Sequence, residues 1–265
     1  MDISSFVRLT SSSVTHSYES HSQIEEFQSF EPNYFFNLAD FLCAFTSAFY
    51  LRFRDKDKMK GVSLCICTFL MCFGGSTMTN FVHGLMMGYL RRSTSFVSFL
   101  IGLGSVLLLP QSAIDSLFPT FLYQCFNFVV DCLLRIHCVT SWGVHTAISA
   151  GGSVVSATFA SMATGCGGGM LATLLLDDSS SVWMDKLTRV LVKYKRELEH
   201  LLTLSLLYQA LIGFLPLSFV SPMDFISAKS VCFVVFLCLH FMDRVIGIVI
   251  VWACIIDSVC FCLFR

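Results

Sequence analysis

The stretch that decides the fold is IHCVTSWGVHTAISAGGSVVSATFASMATGCGGGMLATLLL, residues 136–176, which is 41 consecutive positions without an Asp, Glu, Lys or Arg. A bilayer core takes about 20 apolar residues per helix, so this run is too long for one crossing. Gly151, Gly152 and Ser153 lie near its middle and mark the place where the chain turns and re-enters. The second half, Val154 to Leu176, predicts one complete span.

Working outward, further runs free of formal charge cover residues 61–90, 93–114 and 200–223. Charged residues are only 13% of the 265, against about 25% in globular domains, and apolar residues reach 55%. The pattern predicts an all-α membrane protein with seven transmembrane helices. The spans are placed at 34–51, 61–90, 96–109 (stopped by Pro110), 114–138, 154–176, 200–215 and 226–244. The first 33 residues are Ser- and Glu-rich and lack the basic start and apolar run of a signal peptide; they read as a polar, mobile tail. Residues 245–265 form an apolar carboxyl-terminal segment.

Orientation follows from the basic connectors. Arg52, Arg54, Lys56, Lys58 and Lys60 follow the first span, and Lys186, Arg189, Lys193, Lys195 and Arg196 follow the fifth. With seven spans both clusters fall on one face. The positive-inside rule makes that face cytosolic and puts the amino terminus in a lumen or outside. Net charge is −1 and no basic patch of nucleic-acid type is present, so no nucleic-acid partner is expected. The 13 cysteines lie mostly inside apolar runs without zinc or redox spacing, and read as membrane-buried free thiols.

Within residues 34–244, read as a channel domain, the spans divide into two inverted three-helix repeats, 34–110 and 111–216, plus the seventh helix. The middle span of each repeat carries a glycine cluster: Gly74 and Gly75 in one, Gly165, Gly167, Gly168 and Gly169 in the other. Broken spans at matching positions of two halves point to an ion pathway at their interface, where freed backbone carbonyls can face water or a cation. The competing reading is close helix packing through small residues. Asp131 and Arg135 stand four apart on one helix face. They either neutralise each other or face a cavity, with Arg135 placed to meet a lipid headgroup or to take part in gating. His83, His137, His145 and His240 form no metal-ligating or acid–base constellation. No phosphate loop, nucleophile elbow or zinc-protease motif occurs, so neither a resident metal nor enzymatic activity is expected.

The order of these features resembles the trimeric intracellular cation channels of endoplasmic and sarcoplasmic reticulum. The segments that carry the likeness are Phe73-Gly74-Gly75-Ser76 with Asn80 and Gly84, then Leu109-Pro110 with Ile114 to Phe118. They continue with Arg135-Ile136-His137 and Gly143-Val144-His145, Met162 through Gly169, and Ser227 to Val231. The resemblance covers about residues 30–244. It implies a homotrimer with one pore per subunit, lined by the second and fifth spans, that passes potassium to balance charge during calcium release. It also implies a reticulum or nuclear-envelope membrane, lipid partners, and a phosphoinositide near the pore. In that family a Lys-Glu-Val motif precedes the arginine; here Asp131, Cys132 and Leu133 stand in its place, and Arg135 alone is kept. Two alternatives are a non-conducting scaffold derived from the family, motivated by that departure, and a seven-span receptor. The receptor leaves the glycine-broken spans without a role.

Overall fold

The computed structural model describes residues 37–54, 59–176, 182–215 and 221–243. The expected polar tail 1–33, Pro216 and the apolar segment 245–265 lie outside them. Among the described residues the chain is helical throughout, without a strand. The helices are α1 (Leu38–Arg54), α2 (Val62–Val82), α3 (Gly88–Arg91), α4 (Ser93–Leu108), α5 (Gln111–Leu117), α6 (Phe121–Ser149), α7 (Val154–Leu176), α8 (Trp183–Leu211) and α9 (Phe225–Asp243).

Four of these, α2, α6, α7 and α9, are long and apolar enough to cross a membrane, and the α4–α5 pair, bent by 98° at Leu109-Pro110, brings the number to five. Among the described residues the expected seven is not reached on these grounds, because α1 is described over 17 residues and α8 is too charged in its first half. The polar connector expected over residues 177–199 is helical from Trp183 onward. Its charges share the helix with an inward stripe of Val190, Tyr194, Glu197 and Leu201. Polar composition alone does not distinguish such a helix from a loop. The expected fourth span is also displaced: α5 stops at Leu117, and α6 starts at Phe121 and runs on to Ser149.

Helix starts are set by local chemistry. The Asn37 side chain accepts from the Ala39 and Asp40 amides, Thr120 from Tyr123, and Ser153 from Ser156. Gly151, at φ +73°, makes the turn before α7 that a side chain would oppose. At the C-terminal end of α4, the Arg52 guanidinium of α1 donates to the carbonyls of Val106 and Leu109 and so caps the helix.

Two buried apolar clusters divide the molecule. One joins α1, α2, α4 and α5 through Phe49, Leu64, Phe73, Phe99, Val106 and Ile114; the other joins α6 to α9 through Val139, Ala157, Leu201, Tyr208 and Phe236. Ring stacking ties α1 to the end of α5 and the start of α6, with Phe53 at 3.8 Å from Phe118 and Phe49 at 4.7 Å from Tyr123. Between the halves, α2 and α7 cross. Each contains a π-helical turn, Leu70–Gly74 and Ala163–Gly167, and α6 contains a third, Cys138–Val144.

Two outcomes follow from this packing. A Cβ on Gly75 would strike the backbone carbonyls of Ala163 and Thr164, and one on Gly168 those of Leu70 and Met71, whereas Gly104 faces open space. Gly75→Ala and Gly168→Ala are therefore expected to cost about 1–3 kcal/mol each by overpacking, and Gly104→Ala to stay within about 0.5 kcal/mol. Thermal unfolding in detergent measures all three. At the start of α9, Asp224 accepts from the side chain and amide of Ser227 and from the amide of Ile226, which holds its carboxyl below the ordinary value. A depressed carboxylate contributes stability above its unfolded-state pKa and loses it as pH falls through the lowered one. Asp224→Ala should thus melt below wild type at pH 7, with the gap closing on acidification.

Candidate functional site

The α2–α7 crossing is built reciprocally. The first two carbonyls of each π-turn, at Leu70 and Met71 in α2 and at Ala163 and Thr164 in α7, lie against the glycine that follows the π-turn of the other helix, Gly168 and Gly75. The idealised Cβ of Gly74 would stand 3.2 Å from the Gly168 Cα, and that of Gly167 3.4 Å from the Gly75 Cα. Hydroxyl groups cover carbonyls that the π-turns displace: Thr164 and Thr79 both donate to Ala160, and Thr140 donates to Ile136. His83 at the end of α2 closes one side of the crossing, 2.9 Å from the Ser156 hydroxyl.

A cavity of about 370 Å³ lies beside the crossing, bounded by α1, α2, α6, α7 and α8. Its wall runs from the exposed Tyr50, Arg54 and Lys193 to the buried Cys72 and Cys166 in the π-turns. Of the glycines singled out in the sequence, Gly165 and Gly169 line it, while Gly74, Gly75, Gly167 and Gly168 form the helix contact next to it. Gly165 also makes room for Leu201 of α8, and Gly169 for the Tyr194 hydroxyl. All described cysteines are free thiols, and Cys43, Cys72, Cys138 and Cys166 face this cavity.

The structure brings Asp131 and Arg135 together and adds a third member. Arg135 Nε donates to both Asp131 oxygens at 3.0 and 2.9 Å, and a terminal nitrogen donates to Glu197 Oε2 at 2.9 Å. Asp131 is also 3.9 Å from His240 of α9. A second group, Arg196, His200 and Asp243, ties α8 to α9, with His200 3.3 Å from the Asp243 carboxylate. The sequence reading did not name Glu197, because it fell in the expected connector. The signal that marks it is its register with Val190, Tyr194 and Leu201 on the inward stripe.

Hydrogen bonds deep in the molecule fasten α7 to α8. Ser161 and Ser205 hydroxyls are 2.6 Å apart, Gln209 donates to Thr158 at 2.9 Å and to Ser205 at 3.0 Å, and Thr173 meets the Tyr194 hydroxyl at 3.1 Å.

The chain is similar to known proteins over part of this site. A family model described as glycine transporter matches residues 133–193, which is 61 of the 265 residues. The matched segment holds the second half of α6, all of α7 and the start of α8, and with them Arg135 and Gly165 to Gly169. The family that this model describes is related to ion-channel-like proteins. Comparison with curated proteins and with solved structures gives no significant match. The match and the apolar helices together support an integral membrane protein of the transport type.

Removing the Arg135 charge leaves Asp131 and Glu197 facing each other across a half-buried gap. Arg135→Leu is expected to destabilise the protein by about 3 kcal/mol, as loss of one partner in a buried ion pair does. Asp131→Asn, which leaves Glu197 opposite the guanidinium, should cost less. The comparison is read from unfolding midpoints at constant salt.

Proposed function

We propose that this protein is a monovalent-cation channel that passes potassium across an intracellular store membrane, endoplasmic or sarcoplasmic reticulum, and supplies counter-ion flow during calcium release. The observation that carries the reading is the cavity that ends on the glycine-packed π-turns of α2 and α7, the two helices that a pathway between repeats requires. Seven crossings complete the picture, with α1 and the second half of α8 counted as spans. The reciprocal seating of Gly75 and Gly168 suits two inverted repeats. A lumenal amino terminus, a homotrimer with one pore per subunit, and a phosphoinositide near Arg135 belong to the same proposal.

A second reading, carriage of a small solute such as an amino acid through the same cavity, is favoured by the glycine-transporter match over residues 133–193. Planar-bilayer recording of purified protein in a potassium gradient separates the two. Cation-selective unitary current supports the channel. Absence of current over a range of voltage and calcium, with uptake of labelled glycine into loaded liposomes, supports the carrier and sinks the channel.

A further inference from the structure

Among the described residues five charged side chains stand on the cavity wall, and they are not equivalent. Arg54 and Lys193 are exposed at its mouth. Arg54 reaches the Tyr50 hydroxyl at 3.2 Å, and Lys193 lies 5.3 Å from the Tyr194 ring centre. Charges exposed in this way are screened by salt over about 8 Å. Further in, Asp131, Arg135 and Glu197 form a contiguous group with side-chain exposures of 37, 20 and 37%. Asp131 and Arg135 sit on one helix in a two-oxygen contact and cancel. Glu197 arrives from α8 and makes the group negative by one, two carboxylates against one guanidinium. Without it the inner group is neutral and the remaining wall charge is all positive.

We propose that Glu197 is the specificity-determining residue of this cavity, the charge that makes it admit small cations in preference to anions. The proposal deepens the channel reading and rests on it for what crosses the membrane; the preference within the cavity stands on the wall itself. One unit charge acting over several ångströms near a protein surface changes the local ratio of cations to anions by about tenfold. Glu197→Gln removes that charge while keeping the side chain's size and an oxygen that can accept from Arg135. Asp131 still neutralises the guanidinium, so no unpaired cation is left behind.

The cavity carries its own reporters. Cys43 and Cys138 are half-buried on its wall. In full-length protein they are treated with a permanently cationic and a permanently anionic methanethiosulfonate. The thiolate attacks the sulfenyl sulfur, a mixed disulfide forms and methanesulfinate leaves. Peptide mass spectrometry gives the rate at each cysteine, and the cationic-to-anionic rate ratio cancels any general change in exposure. The expected result is a ratio about tenfold lower in Glu197→Gln and near wild type in Glu197→Asp. A ratio unchanged within about twofold overturns the assignment. The potassium-to-chloride permeability ratio, from reversal potentials, should fall in parallel. Wild-type protein without current but with the shifted labelling ratio keeps the Glu197 assignment and removes the channel. Conducting wild-type protein with neither ratio changed in Glu197→Gln removes the assignment alone.

Discussion

The contact between two backbones, α2 and α7, sets the terms for everything around it. A π-turn displaces carbonyls from the regular helical ladder, and in an apolar interior each must find a partner or cost several kcal/mol. Here the first two carbonyls of each π-turn lie against the glycine that follows the other. Such Cα–H to oxygen contacts contribute about 0.5–1 kcal/mol each, a modest amount. The larger effect is geometric: at this separation no residue with a Cβ fits, so the seat accepts one register only. Thr79 and Thr164 donate to the Ala160 carbonyl and Thr140 to that of Ile136, so hydroxyls supply extra donors beside the π-turns of α7 and α6.

Once that crossing is fixed, the cavity and its charges follow. With α2 and α7 drawn together, α1 and α6 on one side and α8 on the other are held apart by the bulk between them, and the gap is the cavity. Its inner wall needs polar lining because the π-turns face it. A helix of 29 residues is about 43 Å long, more than the about 30 Å of a hydrocarbon core. Asp131 and Arg135 stand near the middle of α6 and Glu197 near the middle of α8, and the second half of each helix is packed in the apolar cluster. Glu197 and Arg135 meet because these two long helices run side by side there.

Much of this was legible in the residues. The turn at Gly151 to Ser153 and the start of α7 at Val154 follow from charge-free length and glycine placement, and the structure puts both where they are expected. The start of α6, the helical continuation of the connector before α8 and the partner of Arg135 were not legible, for physical reasons. Helix in residues 183–199 depends on an inward face, and a sequence rich in both Lys and Glu reads the same whether or not one face is covered. Thr120 caps α6 through a single hydroxyl, too weak a signal to outweigh the apolar run on both sides of it. The π-turn in α6 has one glycine, Gly143, whose need for space is created by Ser161 of another helix. No local pattern announces that.

The two sides of the crossing are not equally anchored. Phe73, next to Gly74, is fixed among Phe69, Tyr89 and Phe99 at ring distances of 5.1 to 5.4 Å, so α2 is held to α3 and α4 by a ring cluster. On the other side α7 has three glycines in a row, Gly167 to Gly169, and its firm attachments are the hydrogen bonds to Ser205, Gln209 and Tyr194 of α8. Any displacement of α7 at the crossing is therefore shared by α8, which also carries Glu197. α6, which carries Arg135, is tied to α7 as well, its Gly143 set against the Ser161 backbone. The glycine seat is thus linked to the Arg135–Glu197 contact through both helices that pack on α7.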